Sequence, residues 1–179
     1  MDEKLKTVLR KLQTEQSVWQ EKNFAATGPL HLALGVVEEL GELQDELLGT
    51  MSHEGITDAI GDAYVFMAGY CSKADIDIVE CLDMLPDDTH RSNSWRGSFH
   101  SAFGAVSSLA HYTLKSSQGI RKFDIKDLKL TIGIILYNLK KIWEWYNPSE
   151  LEKFPEAIDG IWAKVSKRDW VKNKVDGEV

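Results

Sequence analysis

Cysteine is almost missing from this chain. Cys71 and Cys81 are the only two in 179 residues. That is too few for a disulfide scaffold, and their spacing does not suit a zinc site. Proline is nearly as scarce. The four that occur, Pro29, Pro86, Pro148 and Pro155, all fall at breaks between helix-like segments. No run reaches the roughly 18 apolar residues of a membrane span. The longest candidate, Leu130 to Leu139, is interrupted by Thr131, Gly133 and Asn138. The opening Met-Asp-Glu-Lys-Leu-Lys contains no apolar leader core. Positive charge is in deficit: 21 Lys and Arg face 28 Asp and Glu, a net charge of −7. A nucleic-acid or anionic-membrane surface is therefore not expected. There is no Walker-type glycine loop, no Gly-x-Ser-x-Gly elbow and no usable Cys–His pair. These absences predict a soluble, cytoplasmic, reduced protein with no membrane or nucleic-acid partner.

What the chain does have is helical periodicity. Apolar residues make up 43% of it, enough for a proper core. Leu5, Val8, Leu9, Leu12 and Trp19 recur at helical spacing over residues 3–21. Leu30 to Leu48 reads as the strongest helix, with Leu32, Leu34, Val36, Val37, Leu40, Leu43 and Leu47 on a broad apolar face. Further helices are expected over Ile56 to Ser72, Ile76 to Met84, Trp95 to Lys115, Ile125 to Tyr146 and Ser149 to Trp170, followed by a frayed tail. No segment alternates like a strand. The expected fold class is all-α, a helical bundle.

Five acids stand out on two of these segments. Glu38, Glu39 and Glu42 share one helix, and Asp58 and Asp62 the next. Residues three or four apart lie on one helix face, so each group forms a cluster. The connecting residues Gly49 to Gly55 would fold the two faces together. Like charges at that spacing weaken a helix by a few tenths of a kcal/mol per pair, and more on partial burial. A solvated acidic face is the plainer reading. A bound cation is the other, and hard carboxylate oxygens favour Mg²⁺, with Mn²⁺ as a substitute. A di-iron bundle needs Glu-x-x-His, and no Glu here has a His three residues on.

The chain also repeats itself. His31-Leu-Ala-Leu-Gly-Val-Val-Glu-Glu-Leu-Gly-Glu-Leu43 lies over His100-Ser-Ala-Phe-Gly-Ala-Val-Ser-Ser-Leu-Ala-His-Tyr112. Ser52-His-Glu-Gly-Ile56 matches Ser116-Ser-Gln-Gly-Ile120, and Ile60-Gly61 matches Ile132-Gly133. The apolar frame recurs while the acids vanish. Glu38 and Glu39 become Ser107 and Ser108, Glu42 becomes His111, and Asp58 and Asp62 become Leu130 and Ile134. Two units are expected, residues 1–88 with the acids and 95–179 without them, divided at the polar stretch beginning at Pro86. His31 and His100 recur together and read as parts of the frame. Trp95, Trp143, Trp145, Trp162 and Trp170 read as core or interface.

Glu38-Glu39-x-x-Glu42 followed by Asp58-x-x-x-Asp62 resembles the signature of the MazG-like, all-α nucleoside triphosphate pyrophosphohydrolases. Trp19-Gln-Glu-Lys-Asn-Phe24, Gln118-Gly-Ile-Arg121 and Lys167-Arg-Asp-Trp170 resemble other segments of one branch of that family. The family's Glu in Glu-x-x-Asp falls on Ala59 here, with Asp58 beside it as the stand-in. The resemblance implies Mg²⁺-dependent hydrolysis of (deoxy)nucleoside triphosphates to monophosphate and pyrophosphate. It implies Glu39, Glu42, Asp58 and Asp62 as metal ligands and Glu38 as the residue that orients or deprotonates water. Lys115, Arg121, Lys167 and Arg168 become candidate phosphate contacts, although a solvated surface role is the commoner use of such residues. Trp19, Asn23 and Phe24 become candidate base contacts, with core packing the commoner use of the two aromatics. Single-unit members assemble as dimers or tetramers, so the two fused units imply a pseudo-dimer with one acidic site, and a further homodimer would rebuild a tetramer-like assembly. The alternative from another class is a non-catalytic nucleotide-binding or helical assembly protein.

Overall fold

A computed structural model describes residues 3–85, 94–121 and 124–174. Among these the regular structure is helical throughout, without a strand. α1 covers Glu3–Phe24 and α2 Pro29–Leu48. Pro29 opens α2 where its missing N–H costs nothing. α3 runs His53–Lys73. It starts three residues before the expected Ile56, because Ser52 accepts a hydrogen bond from the Gly55 N–H and caps the first turn. α4 is the short Ile78–Asp83, capped by Asp77. α5 covers Trp95–Ser117 and α6 Ile125–Tyr146, capped by Ser94 and Asp124. A single 3₁₀ turn, Leu151–Lys153, leads into α7, Phe154–Val165.

The last segment corrects the sequence expectation of one helix from Ser149 to Trp170. Pro155 cannot sit inside a helix and instead lies at the start of α7. Beyond Val165 the chain turns away, because Asn23 Oδ1 takes the Trp170 N–H at 2.9 Å. α2 corrects another expectation. Leu32, Val36, Leu40, Leu43 and Leu47 are buried, but Leu34 and Val37 are exposed, since about 100° per residue rotates them onto the outer face. Of the tryptophans, Trp143 and Trp162 are buried while Trp145 is exposed.

Two helix pairs organise the bundle. α2 packs along α3, and α5 along α6. α2 also rests on α5, and α3 on α6. The short helices cross over: α4 packs on α6 and α7 on α3. One continuous core results, drawing on every helix from Leu5 to Val165. Polar ties cross between the pairs. The Tyr64 hydroxyl donates to the Leu136 carbonyl at 2.6 Å, and Trp143 Nε1 donates to Thr57 Oγ1 at 3.1 Å. The expected unit boundary at residues 86–93 lies outside the described residues.

Gly61 and Gly133, of the two Ile-Gly pairs, each lie at a close helix contact. A Cβ on Gly61 would meet Ile161 of α7 at 2.4 Å, and one on Gly133 would meet the Cys81 carbonyl of α4 at 2.2 Å. Gly104, by contrast, has nothing within 4 Å. Gly133→Ala must push α4 off α6, because the obstacle is backbone. It should destabilise the fold by about 1–3 kcal/mol. Gly104→Ala, in open space within a helix, should stabilise it by about 0.5–1 kcal/mol. Urea denaturation of both variants checks the pair. Equal effects would mean that α4 does not press on α6 as described.

Candidate functional site

The apolar stripe of α2 decides how deep its acids lie. Glu39 sits between Val36, Leu40 and Leu43 and is only 7% exposed. Glu38 and Glu42 lie further round and are exposed. Asp62 faces them from α3, half-buried. Glu38, Glu39, Glu42 and Asp62 all line one cavity of about 540 Å³. Next to them, Val65 and Phe66 of α3 and Leu32 of α2 line it with apolar surface. Phe66 fits there because Gly35 has no side chain; a Cβ would lie 2.4 Å from its ring.

α1 lines the same cavity with Gln16, Trp19, Gln20 and Phe24. The chain after α7 closes it with Val165, Arg168 and Trp170. That closing segment is tied to α1 at three successive residues. Trp19 Nε1 donates to the Arg168 carbonyl at 3.0 Å. Lys22 Nζ donates to Asp169 at 2.9 Å and, with the Lys172 N–H, holds that carboxyl below the usual range. Asn23 takes the Trp170 N–H. The aromatic rings interlock as well, with Trp19–Phe24 centroids at 5.6 Å and Phe24–Trp170 at 6.0 Å.

The electrostatics follow from the crowding. Burial, then the charges of Asp62, Glu42 and Glu38, push Glu39 up to about 8, against a weaker pull from Arg168. Burial likewise pushes Asp62 up to about 6, with Arg168 opposing and Asp58 and Glu42 adding to the rise. Glu39 Oε2 is buried and has no hydrogen-bond partner. Among the described residues no three His, Cys, Asp or Glu side chains converge closely enough to hold a metal ion as they are placed. The donor chemistry nevertheless suits a hard cation. It consists of carboxylate oxygens alone, one of them buried without a partner.

The candidate residues divide sharply. Glu38, Glu39, Glu42, Asp62, Trp19 and Arg168 line the cavity. Asp58 does not. It pairs with Lys164 at 3.2 Å and lines a neighbouring groove with Thr57 and Ile161. Asn23 braces backbone, donating to the Trp19 carbonyl and receiving the Trp170 N–H. Lys167 is exposed and outside the cavity lining. Lys115 and Arg121 lie beyond it too, with Lys115 at 3.5 Å from Gln118 and Arg121 over the Tyr112 ring. Ser107, Ser108 and His111 are exposed, and both hydroxyls bond back to their own helix.

Sequence reasoning missed Gln16, Gln20, Thr27 and His31, all of which line the cavity. His31, read as frame, is exposed at that lining. The signal for the glutamines was present: Leu5, Leu9, Leu12, Gln16 and Gln20 form the buried stripe of α1, and carboxamides continue it where leucines would be expected. No protein-family model matches the chain, and no curated protein or solved structure matches it.

In the folded chain Glu39 and Asp62 hold protons at pH values where the unfolded chain, near 4.5 and 3.8, has released them. Below about pH 4 both states are protonated and the two groups contribute nothing. Above about pH 4 the unfolded chain ionises while the folded chain still holds its protons, so stability falls with rising pH until Asp62 ionises near 6 and Glu39 near 8, and levels off beyond. Metal-free protein should lose roughly 4–8 °C of Tm between pH 5 and pH 8.5, and Glu39→Gln should flatten most of that slope. A Tm unchanged or rising over this range would mean that the acids are solvated.

Proposed function

We propose that the protein is a Mg²⁺-dependent nucleotide pyrophosphohydrolase, releasing pyrophosphate and a monophosphate from (deoxy)nucleoside triphosphates. The observation that supports it best is Glu39, whose Oε2 is buried without a partner, beside three other acids in a cavity that is otherwise lined mainly by aromatic, aliphatic and amide side chains, with Arg168. Such a group is costly in a purely structural role, whereas a cation and a polyanion would use it. Four acids of one sign also need a counter-charge before a triphosphate can approach.

Glu39, Glu42 and Asp62 would hold Mg²⁺ or Mn²⁺. Asp58 could join them at small cost, since its exposed pair with Lys164 contributes only about 0–1 kcal/mol. When bound, the ion neutralises phosphate charge and lowers the pKa of a bound water. Glu38 lines the cavity from its open side and would orient that water and take its proton. Arg168, whose charge already reaches Asp62 and Glu39, would meet phosphate oxygens. Trp19, Phe24 and Trp170 offer aromatic surface for the base. The reading also takes residues 1–88 and 95–179 as a duplicated pair with one surviving site, a further homodimer being compatible with it. The crossed packing of α4 and α7, each against the other half's Ile-Gly glycine, supports this duplication.

Pyrophosphate release should be screened across canonical and modified nucleoside triphosphates with Mg²⁺. Glu39→Gln and Glu42→Gln should each lose at least about 100-fold in kcat while keeping native circular dichroism. Ser107→Ala and His111→Ala should leave the rate within about twofold. Wild-type rates in either acid variant would remove these residues from the chemistry. Nucleotide binding with no pyrophosphate from any substrate would leave the non-catalytic alternative.

A further inference from the structure

Gln16 is the most deeply buried polar side chain of the cavity, at 1% exposure. Its Nε2 donates to Gln20 Oε1 at 2.9 Å, and Gln20 is itself only 4% exposed. Its Oε1 is buried and has no hydrogen-bond partner. A buried acceptor left unpaired is unfavourable, and buried polar atoms are nearly always satisfied. We infer that Gln16 is the residue that reads the nucleobase: its Oε1 accepts a hydrogen bond from an N–H on the base edge. This deepens the nucleotide reading above and rests on it.

The surroundings place the amide for that task. The Gln16 carboxamide lies against the backbone of α3 at Gly69, where a Cβ would come within 2.5 Å of Nε2 and 2.9 Å of Oε1. Any other residue at position 69 would displace it. Along α3, Val65 and Phe66 lie three and four residues after Asp62 and four and three before Gly69, so the four share a face. Asp62 and Gly69 are seven residues apart, about 10 Å along the helix axis. One helix face therefore runs from the acids, past apolar surface, to the amide, the order of phosphate, sugar and base in a nucleotide. Trp19 and Phe24 stand on the same face of α1 as Gln16 and Gln20 and line the cavity with them, offering the apolar surface a base ring needs.

The chemistry narrows what can bind. One N–H of the Gln16 amino group is engaged by Gln20, and Oε1 is the atom left wholly without a partner. The matching ligand atom must be a donor, a ring N–H or an exocyclic amino group. A base methylated at that nitrogen would leave Oε1 unpaired and add bulk, so a site built around this bond should reject it.

The test uses the full chain with Mg²⁺ and measures binding of nucleoside monophosphates by calorimetry. Each monophosphate is compared with its N-methylated counterpart: N3-methyl-UMP, N4,N4-dimethyl-CMP, N6,N6-dimethyl-AMP and N1-methyl-GMP. Wild type should bind the best parent at least about tenfold more tightly than its methylated form. Gln16→Met should bring that ratio to within about twofold. Gly69→Ala, which displaces the carboxamide and leaves its chemistry intact, should do the same and serves if the first variant fails to fold. Survival of the ratio in a folded variant would overturn the assignment, as would a wild type that binds no monophosphate or ignores the methyl groups. A structural role alone would lower stability without changing the ratio. Discrimination without pyrophosphate release sinks the hydrolysis reading and leaves the base reading intact. Pyrophosphate release that ignores base methylation does the reverse.

Discussion

A desolvated carboxylate inside an apolar stripe sets the terms for this molecule. Glu39 shares its helix face with Val36, Leu40 and Leu43, so the packing that builds the α2–α3 pair also withdraws the acid from water. Neighbouring Asp62, Glu42 and Glu38 then make ionisation harder still. The helix cannot relieve this by rotating, because Leu32, Val36 and Leu47 would come out with it. Apolar burial at roughly 1.5–3 kcal/mol per large side chain outweighs the strain of one displaced proton equilibrium. The acids are therefore imposed on the helix by a frame strong enough to hold them.

The cavity exists because a non-helical segment is pinned where the last helix might have continued. Lys22 and Asn23 of α1 seize Asp169 and the Trp170 N–H, while Trp19 takes the Arg168 carbonyl. Three bonds from one helix end to three consecutive residues leave that segment little freedom. They turn Arg168 and Trp170 toward the acids. Asn23 and Asp169 thus act at one remove. They are not part of the cavity lining, yet they bring Arg168 and one of the aromatics to it.

Much of the fold was legible in the sequence, because helical periodicity and proline placement are local signals. The helices over residues 3–21 and 125–146 and the acid-bearing pair could be read from spacing alone. Leu34 and Val37 were misplaced because a contiguous apolar run does not say which of its members lies on the outer face. The last helix was drawn too long because its end depends on Asn23, some 150 residues away in sequence. The acids were legible as a cluster, since i,i+3 and i,i+4 spacing needs no tertiary knowledge. The division of Asp58 from Asp62 was not, because Lys164 of α7 decides it. Gln16 and Gln20 escaped notice although they interrupt a leucine stripe, because a carboxamide at the end of a helix face is ordinarily solvated.

The two helix pairs satisfy their polar groups differently. In α5, Ser107 and Ser108, which the sequence alignment sets against Glu38 and Glu39, bond through their hydroxyls to the carbonyls of Phe103 and Gly104. A hydroxyl can satisfy itself on its own helix; a carboxylate has no N–H to accept from there, since mid-helix donors are all committed. Those two serines are thus satisfied within α5, which packs along α6 as α2 packs along α3. The first pair keeps groups that nothing in its own backbone can satisfy. The apolar packing of α2 on α3 does not require that unmet charge; the cation proposed above would meet it.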